Sequence, residues 1–196
     1  MTKAYRLDIF KTEINSIHSY NIRNIVTNTL ANIPDYFFYI PASSSGKYHP
    51  EFALGPGGLV RHVKAAVKIA RDLFILEQED LNEHEQDIAT ATLILHDCFK
   101  AGKDETAYSE KKEYRTISEH PVLMHDYLID NFKNDPDAKA IADAILTHMG
   151  QWNKFYKSEE EFAPKPSTKL QKFVHLCDFI ASRKGLEVDT DYTPTR

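Results

Sequence analysis

The chain has 196 residues, 42% of them hydrophobic and 27% charged, a globular composition long enough for one domain with a sizeable core. Its formal net charge of −5 argues against extended, charge-driven binding to nucleic acid, though not against phosphate substrates, since bound cations can dominate the local charge of a site. No apolar run is long enough to cross a bilayer, the opening MTKAYRLDIFKTEI lacks the apolar stretch of a secretory leader, and Cys98 and Cys177 stand in no metal-knuckle or redox spacing, which together predict a cytoplasmic chain with reduced thiols and no membrane partner.

Helix patterns dominate in chain order. From Leu7 to about Ala31, the apolar positions Ile9, Phe10, Ile14, Ile17, Ile22, Ile25, Val26 and Leu30 fit one or two helices. The irregular stretch Asn32–Gly58 carries Pro34, Pro41, Pro50 and Pro56 and the string SSSGKYHP. Loops of that length are usually functional or disordered, and the aromatics Tyr36, Phe37, Phe38 and Tyr39 predict that this one packs down. Leu59–Glu77 is the clearest amphipathic helix, punctuated at its start by Gly57-Gly58. Arg61, Lys64, Lys68 and Arg71 share one face, read as solvated; His62, Ala66, Ile69, Ala70 and Leu73 share another. Asn82–Phe99 is nearly all apolar after Ile88 and is predicted to be central, and Glu77–Glu85 is acidic and solvated. In Ser118-Glu119-His120-Pro121, proline at the first helical position would place His120 at the N-cap. Asp135-Pro136 opens a helix to about Met149, a loop rich in Lys, Glu and Pro spans Gly150–Pro166, and Ser167–Lys184 is the last long helix. The tail Gly185–Arg196 reads as frayed. Nothing alternates with period two for long enough to propose a sheet. The expected fold is therefore all-α: a bundle of about seven helices, with residues 1–58 packed on a core at 59–184 and a tail at 185–196.

Six residues of metal-ligand type interrupt these apolar faces. His62 shares the inward face of its helix with Ala66 and Ile69. His96-Asp97 ends the most apolar segment, ATLILHDCFKAGK, where an ionised carboxylate is costly unless it is paired or bound to metal. His120 heads a helix, His148 follows Ile141, Ala144 and Ile145 at helical steps, and Asp178 sits in KFVHLCDFIAS near Val174 and Ala181. A lone histidine on an apolar face is usually a satisfied core residue. Four His and two Asp on five helices make a metal site, of a kind that bundles build from facing helices, about as plausible as a bland core.

The order His62 … His96-Asp97 … His120 … His148 … Asp178 resembles the HD-domain metal-dependent phosphohydrolase superfamily, in its six-ligand dinuclear branch. That branch includes HD-GYP phosphodiesterases, diadenosine tetraphosphate hydrolases and HD-type 3′–5′ exoribonucleases. The strings GPGGLVRHVKAA, LILHDCFKAGK, SEHPVLMHDYL, ILTHMGQWN and KFVHLCDFIAS carry the resemblance, which spans roughly Lys47 to Ser182. PASSSGKYHP and the loop after His148 are similar to the exoribonuclease group in particular. Phe99 stands where the family usually has Gly, the Gly-Tyr-Pro signature is absent, and no nucleic-acid domain precedes the core.

The resemblance implies two divalent cations, Mn or Fe with Zn, Mg or Ni as alternatives. Asp97 would bridge them, His62, His96 and Asp178 would complete one, and His120 and His148 would serve the other. It implies hydrolysis of a phosphodiester or pyrophosphate by a metal-bound hydroxide, with Asp97 and Lys100 as catalytic residues and Lys100 contacting the phosphate. The substrate expected is a small nucleotide, a cyclic or linear oligonucleotide, a dinucleoside polyphosphate or short RNA. Lys47, Tyr48, His49 and Gln151 are candidate substrate contacts, each with an ordinary loop role as the plain alternative; Trp152 could line the pocket beside Gln151 but reads more as packing. Lys100 has its own plain alternative, the solvated end of a buried helix. His18, His84, His125 and His175 read as structural or exposed, and Cys98 and Cys177 as small core residues. A metal-binding sensor or scaffold without turnover is the alternative from another class, and di-iron oxygenase chemistry ranks below it. Self-association as a homodimer stays open.

Overall fold

The computed structural model describes residues 1–76, 80–104 and 115–194. The predicted end of a helix at Glu77, the first residues of the acidic run Glu77–Glu85 and the last two residues of the tail lie outside them. Three helices, rather than one or two, open the chain: α1 (Lys3–Ile9), α2 (Lys11–Asn15) and α3 (Tyr20–Leu30). Phe10 separates the first two with a non-helical backbone and a fully buried ring. Asp87 then fixes the turn into α3, its carboxylate accepting the backbone N–H groups of His18 and Ser19 at 2.9 and 2.7 Å.

The long loop packs down as its aromatics predict. Tyr36, Phe37 and Phe38 lie in a 3₁₀ turn (Asp35–Phe38) and are buried, and a second turn covers Glu51–Ala53. The loop delivers the chain to α4 (Gly58–Ile75) in a fixed register. Gly57, at φ +73°, caps the helix from the left-handed region that favours glycine. The Leu59 amide, which has no intrahelical partner, donates to Ile40 O at 3.0 Å. A Cβ on Gly58 would lie 2.1 Å from the Ala53 carbonyl oxygen. Gly58→Ala is therefore expected to cost roughly 1–3 kcal/mol by forcing backbone apart. Differential scanning calorimetry should read this as a Tm lower by several degrees; an unchanged Tm would mean that the loop is not seated as described.

The basic stripe on α4 is not a solvated face. Lys68 and Arg71 are exposed, but Lys64 is only 6% exposed and pairs with Glu13 at 2.8 Å and Asp191 at 3.4 Å. Arg61 is half-buried and donates to the carbonyls of Phe52 and Leu54. The tail is likewise not frayed along its described length: Tyr192 is buried, and its hydroxyl donates to Phe38 O at 2.9 Å.

The remaining helices are α5 (Glu83–Leu95), α6 (His120–Asn131), α7 (Pro136–Thr147) and α8 (Lys169–Ala181). Capping boxes at Asn82/Glu85 and Thr168/Gln171 start α5 and α8, and Asp135 caps α7. The N-cap of α6 is Glu119, so His120 is its first residue and Pro121 its second, one place later than predicted. Proline is tolerated there because that amide also lacks an intrahelical acceptor. The protein is all-α, with eight α-helices among the described residues where about seven were expected; no strand occurs there, only an isolated bridge between Lys154 and Glu161. No described helix is long and apolar enough to cross a membrane. As its apolar run predicts, α5 is central: it packs against α3, α4, α7 and α8, while α6 packs on α7.

Candidate metal centre

Five helices converge on one buried cluster. α4 contributes His62 from its second turn, α6 contributes His120 as its first residue, and α8 contributes Asp178. His96 and His148 are both C-caps, of α5 and α7, so each follows an apolar run directly. α5 ends at Leu95 rather than Phe99, which lets the chain turn sharply and point His96 and Asp97 inward. His62, His96, Asp97, His120 and His148 are buried; Asp178 is the most open, with its side chain 18% exposed.

Local hydrogen bonds prepare three imidazoles as ligands. Nδ1 of His96, His120 and His148 lies 2.7–2.8 Å from the carbonyl oxygen three residues earlier, on Leu93, Ile117 and Ile145 respectively. A carbonyl only accepts, so Nδ1 carries a proton, and a ring in its neutral form turns an Nε2 lone pair into the cluster. These atoms divide into two sets around Asp97. On the Oδ2 side stand His62 Nε2 (3.8 Å) and His96 Nε2 (3.5 Å), with Asp178 Oδ1 2.9 Å from His62 and 3.5 Å from His96. On the Oδ1 side stand His120 Nε2 (2.9 Å) and His148 Nε2 (3.7 Å), themselves 3.3 Å apart.

Such an arrangement sets acceptor against acceptor. His96 Nε2 and Asp97 Oδ1 are buried without a hydrogen-bond partner. Lone pairs this close repel unless a metal cation or a shared proton lies among them. The donor set fits a divalent metal. Ligand atoms bonded at about 2.1 Å stand roughly 3.0–3.4 Å from their neighbours around the ion, close to the separations observed here. His62, His96 and Asp178 group around one such position, and His96, Asp97 and His148 around another.

Without a metal, the same groups offset one another through charge and shared protons. Burial alone would raise the Asp97 carboxyl; the Lys100 ammonium, with His96 and His120, outweighs it and holds Asp97 well below the usual carboxylate range. Asp178 is held low in the same way by His62 and His96 against its burial. Burial lowers His96, but Asp97 and Asp178 outweigh it and raise it. Burial, reinforced by His96 and His120, pushes His148 down to about 3.

Lys100 is not the solvated end of a helix. Its side chain is 12% exposed, and Nζ lies 2.6 Å from Asp97 Oδ2. A tight turn places it there, with the Lys100 amide donating to Asp97 O at 3.0 Å and Gly102, at φ +100°, closing the turn. Of the candidate substrate contacts, His49 reaches the cluster: its ring centroid is 5.7 Å from that of His62. Burial, then His62 and Lys100, push His49 down to about 4. Lys47 and Tyr48 lie exposed on the loop, the Lys47 ammonium 5.1 Å from the Tyr48 ring, and Gln151 is exposed on a 3₁₀ turn (Gly150–Trp152) just past His148. The structure does not bring these three into contact with the cluster. Trp152 does pack, as predicted, and Cys98 and Cys177 are buried.

Two supporting residues were not singled out from sequence. The Tyr36 hydroxyl accepts the Ala101 amide at 3.2 Å and donates to Gly102 O, pinning the turn that aims Asp97 and Lys100. His175 Nδ1 donates to His148 O at 2.7 Å, and the Gly150 position must lack a Cβ, which would lie 2.3 Å from the His175 ring. A buried tyrosine before the histidine-bearing helix was the only hint of the first; a histidine one turn ahead of Asp178 was the only hint of the second.

The model of one known family, described as HD domain, matches residues 59–182, the stretch that carries all six cluster residues. No curated protein and no solved structure matches the chain.

Proposed function

The chain belongs to the HD domain family, whose members are mostly metal-dependent hydrolases that bind divalent cations, and on that premise we propose that it is a phosphohydrolase that cleaves a phosphodiester or pyrophosphate bond of a nucleotide-type substrate. The observation that carries this reading is the division of the Asp97 carboxylate between two sets of acceptor atoms, one oxygen to each. His62, His96 and Asp178 would hold one divalent cation, His120 and His148 a second, and Asp97 would stand between them. When bound, such cations acidify a water and draw charge from phosphoryl oxygens.

The other roles belong to the chain. Lys100 holds a cationic Nζ 2.6 Å from Asp97, placed to pass from that carboxylate to a phosphate oxygen as negative charge grows there. His49, kept neutral by its surroundings, offers a hydrogen bond at the rim rather than a charge. Lys47, Tyr48 and Gln151 stand further out, where they would meet the larger parts of a substrate.

The test is a panel run with Mn²⁺: bis-p-nitrophenyl phosphate, cyclic dinucleotides, dinucleoside polyphosphates and short RNA. Turnover of at least one member of the panel is expected. Lys100→Met should lower kcat by roughly 10²–10³-fold, because one preorganised cation is lost from the transition state, while elemental analysis finds its metal content unchanged. A fully loaded protein that turns over none of the panel would replace this reading with a metal-binding sensor.

A further inference from the structure

Three aromatic side chains on the 152–156 segment stand open to solvent: Trp152 is 45% exposed, Phe155 36% and Tyr156 80%. Trp152 differs from the other two in what lies behind it. Its ring stacks on Phe179, with centroids 5.6 Å apart and planes 13° from parallel. The Arg183 guanidinium carbon lies 4.1 Å from the Phe179 centroid and 5.9 Å from that of Trp152. Arg183 is itself fixed, donating from Nε to Phe179 O at 3.1 Å. One face of the indole is thus held flat against the protein and the rest is presented to water.

This platform is tied to the cluster by short links. Phe179 follows Asp178 in α8. The Trp152 ring is 6.2 Å from the His175 ring, whose Nδ1 holds the carbonyl of His148. Trp152 itself lies one short turn past His148. Exposed single aromatics are common and need no explanation. An indole preorganised by a parallel ring and a guanidinium, and linked through His175 and Phe179 to the segments that carry His148 and Asp178, is a planar acceptor for another flat π-system.

We propose that Trp152, backed by Phe179 and Arg183, is the surface on which the base of a nucleotide substrate stacks while its phosphate lies at the His/Asp cluster, an assignment that rests on the phosphohydrolase reading for the second half only. The occupant is a single base and not a long strand. A polyanion needs a run of unneutralised cations, and on this loop Lys154 is paired with Glu159 and Lys165 with Glu161, which leaves Lys157 beside Tyr156 as a single cation and not a run. Stacking accepts any base, because each has a π-face. The platform therefore selects nucleotides over base-free phosphoesters without selecting among nucleotides.

Trp152 is the only tryptophan in the chain, so its emission reports the site directly. The metal-loaded protein is titrated with AMP and, in parallel, with ribose 5-phosphate, using selective tryptophan excitation. AMP is expected to quench saturably and ribose 5-phosphate to leave the emission unchanged. By calorimetry, Trp152→Ala should weaken AMP about tenfold, as loss of one stacked ring predicts, and leave ribose 5-phosphate binding as it was. Trp152→Phe should recover most of the AMP affinity, which loss of fold would not allow. Equal responses to the two ligands, no response to AMP, or AMP affinity unchanged in Trp152→Ala would each overturn the platform. None of these readouts requires turnover, so a protein that hydrolyses none of the panel yet binds AMP in this way would end the phosphohydrolase reading and keep the platform.

Discussion

Asp97→Asn is expected to reduce turnover roughly 10³-fold or more, the scale seen when a residue acting as part of a unit is removed, while far-UV circular dichroism keeps its helical form. Asp97 presents one carboxylate oxygen to each half of the cluster: Oδ2 faces His62, His96 and Lys100, and Oδ1 faces His120 and His148. Asparagine keeps the shape but turns one oxygen into an NH₂ group. That group is a donor, and it will satisfy whichever imidazole lone pairs it meets, removing the reason for a cation on that side. The loss of charge also leaves the Lys100 ammonium, 12% exposed, without its carboxylate. Elemental analysis should accordingly find at least one metal per chain fewer than in the wild type, together with a lower Tm. Asp178→Asn offers a comparison, because it touches only the His62/His96 side and should spare metal on the other. An Asp97→Asn protein with wild-type metal content and more than about a tenth of the activity would refute the shared role.

How much of this was legible in the sequence differs from residue to residue. His62, His148 and Asp178 announced themselves as polar side chains at apolar helical steps, and His96-Asp97 as titratable groups ending an apolar run. Each signal is local, and the structure places all six residues in one cluster. The errors arose where the partner is remote. Lys64 has the spacing of a solvated face on its own helix, but its partners are Glu13, 51 positions earlier, and Asp191 in the tail. Helical periodicity cannot see a carboxylate delivered by another element. Tyr36 read only as an aromatic that packs; its hydroxyl works on a backbone turn 65 positions away. His120 was displaced by one place because proline serves the first or the second helical position equally well. The tail looked frayed because it lacks helical pattern, yet it is pinned through Tyr192, whose hydroxyl meets a backbone carbonyl 154 positions away.

Removing the metal is expected both to silence the protein and to loosen it. Without a cation, the Nε2 atoms of His120 and His148 face each other at 3.3 Å, and His96 Nε2 and Asp97 Oδ1 stay buried without partners. Each such group costs about 1–3 kcal/mol of desolvation that coordination would offset. Dialysis against a chelator should lower Tm by about 10 °C, a few kcal/mol at the 2–4 °C per kcal/mol of a chain this long, and Mn²⁺ should restore both Tm and turnover. The stripped protein should also become acid-sensitive in a particular window. His148 is pushed down to about 3 and His49 to about 4 from an ordinary 6.5, so between those values the unfolded chain binds protons that the folded chain refuses. Their contribution is intact above 6.5 and is lost as pH falls toward 3–4. Asp97 and Asp178, held low, add to the loss below 3.8, and raised His96 opposes part of it. Tm of the stripped protein should therefore fall steadily between about pH 7 and pH 5. The two halves of the site separate in His120→Ala, which removes the closest imidazole on the Oδ1 side and leaves His62, His96 and Asp178 untouched. Two metals per wild-type chain and about one in the variant is the expected pair of values. One metal in both would reduce the centre to a single ion on the His62 side, and with it the mechanism to one cation and Lys100.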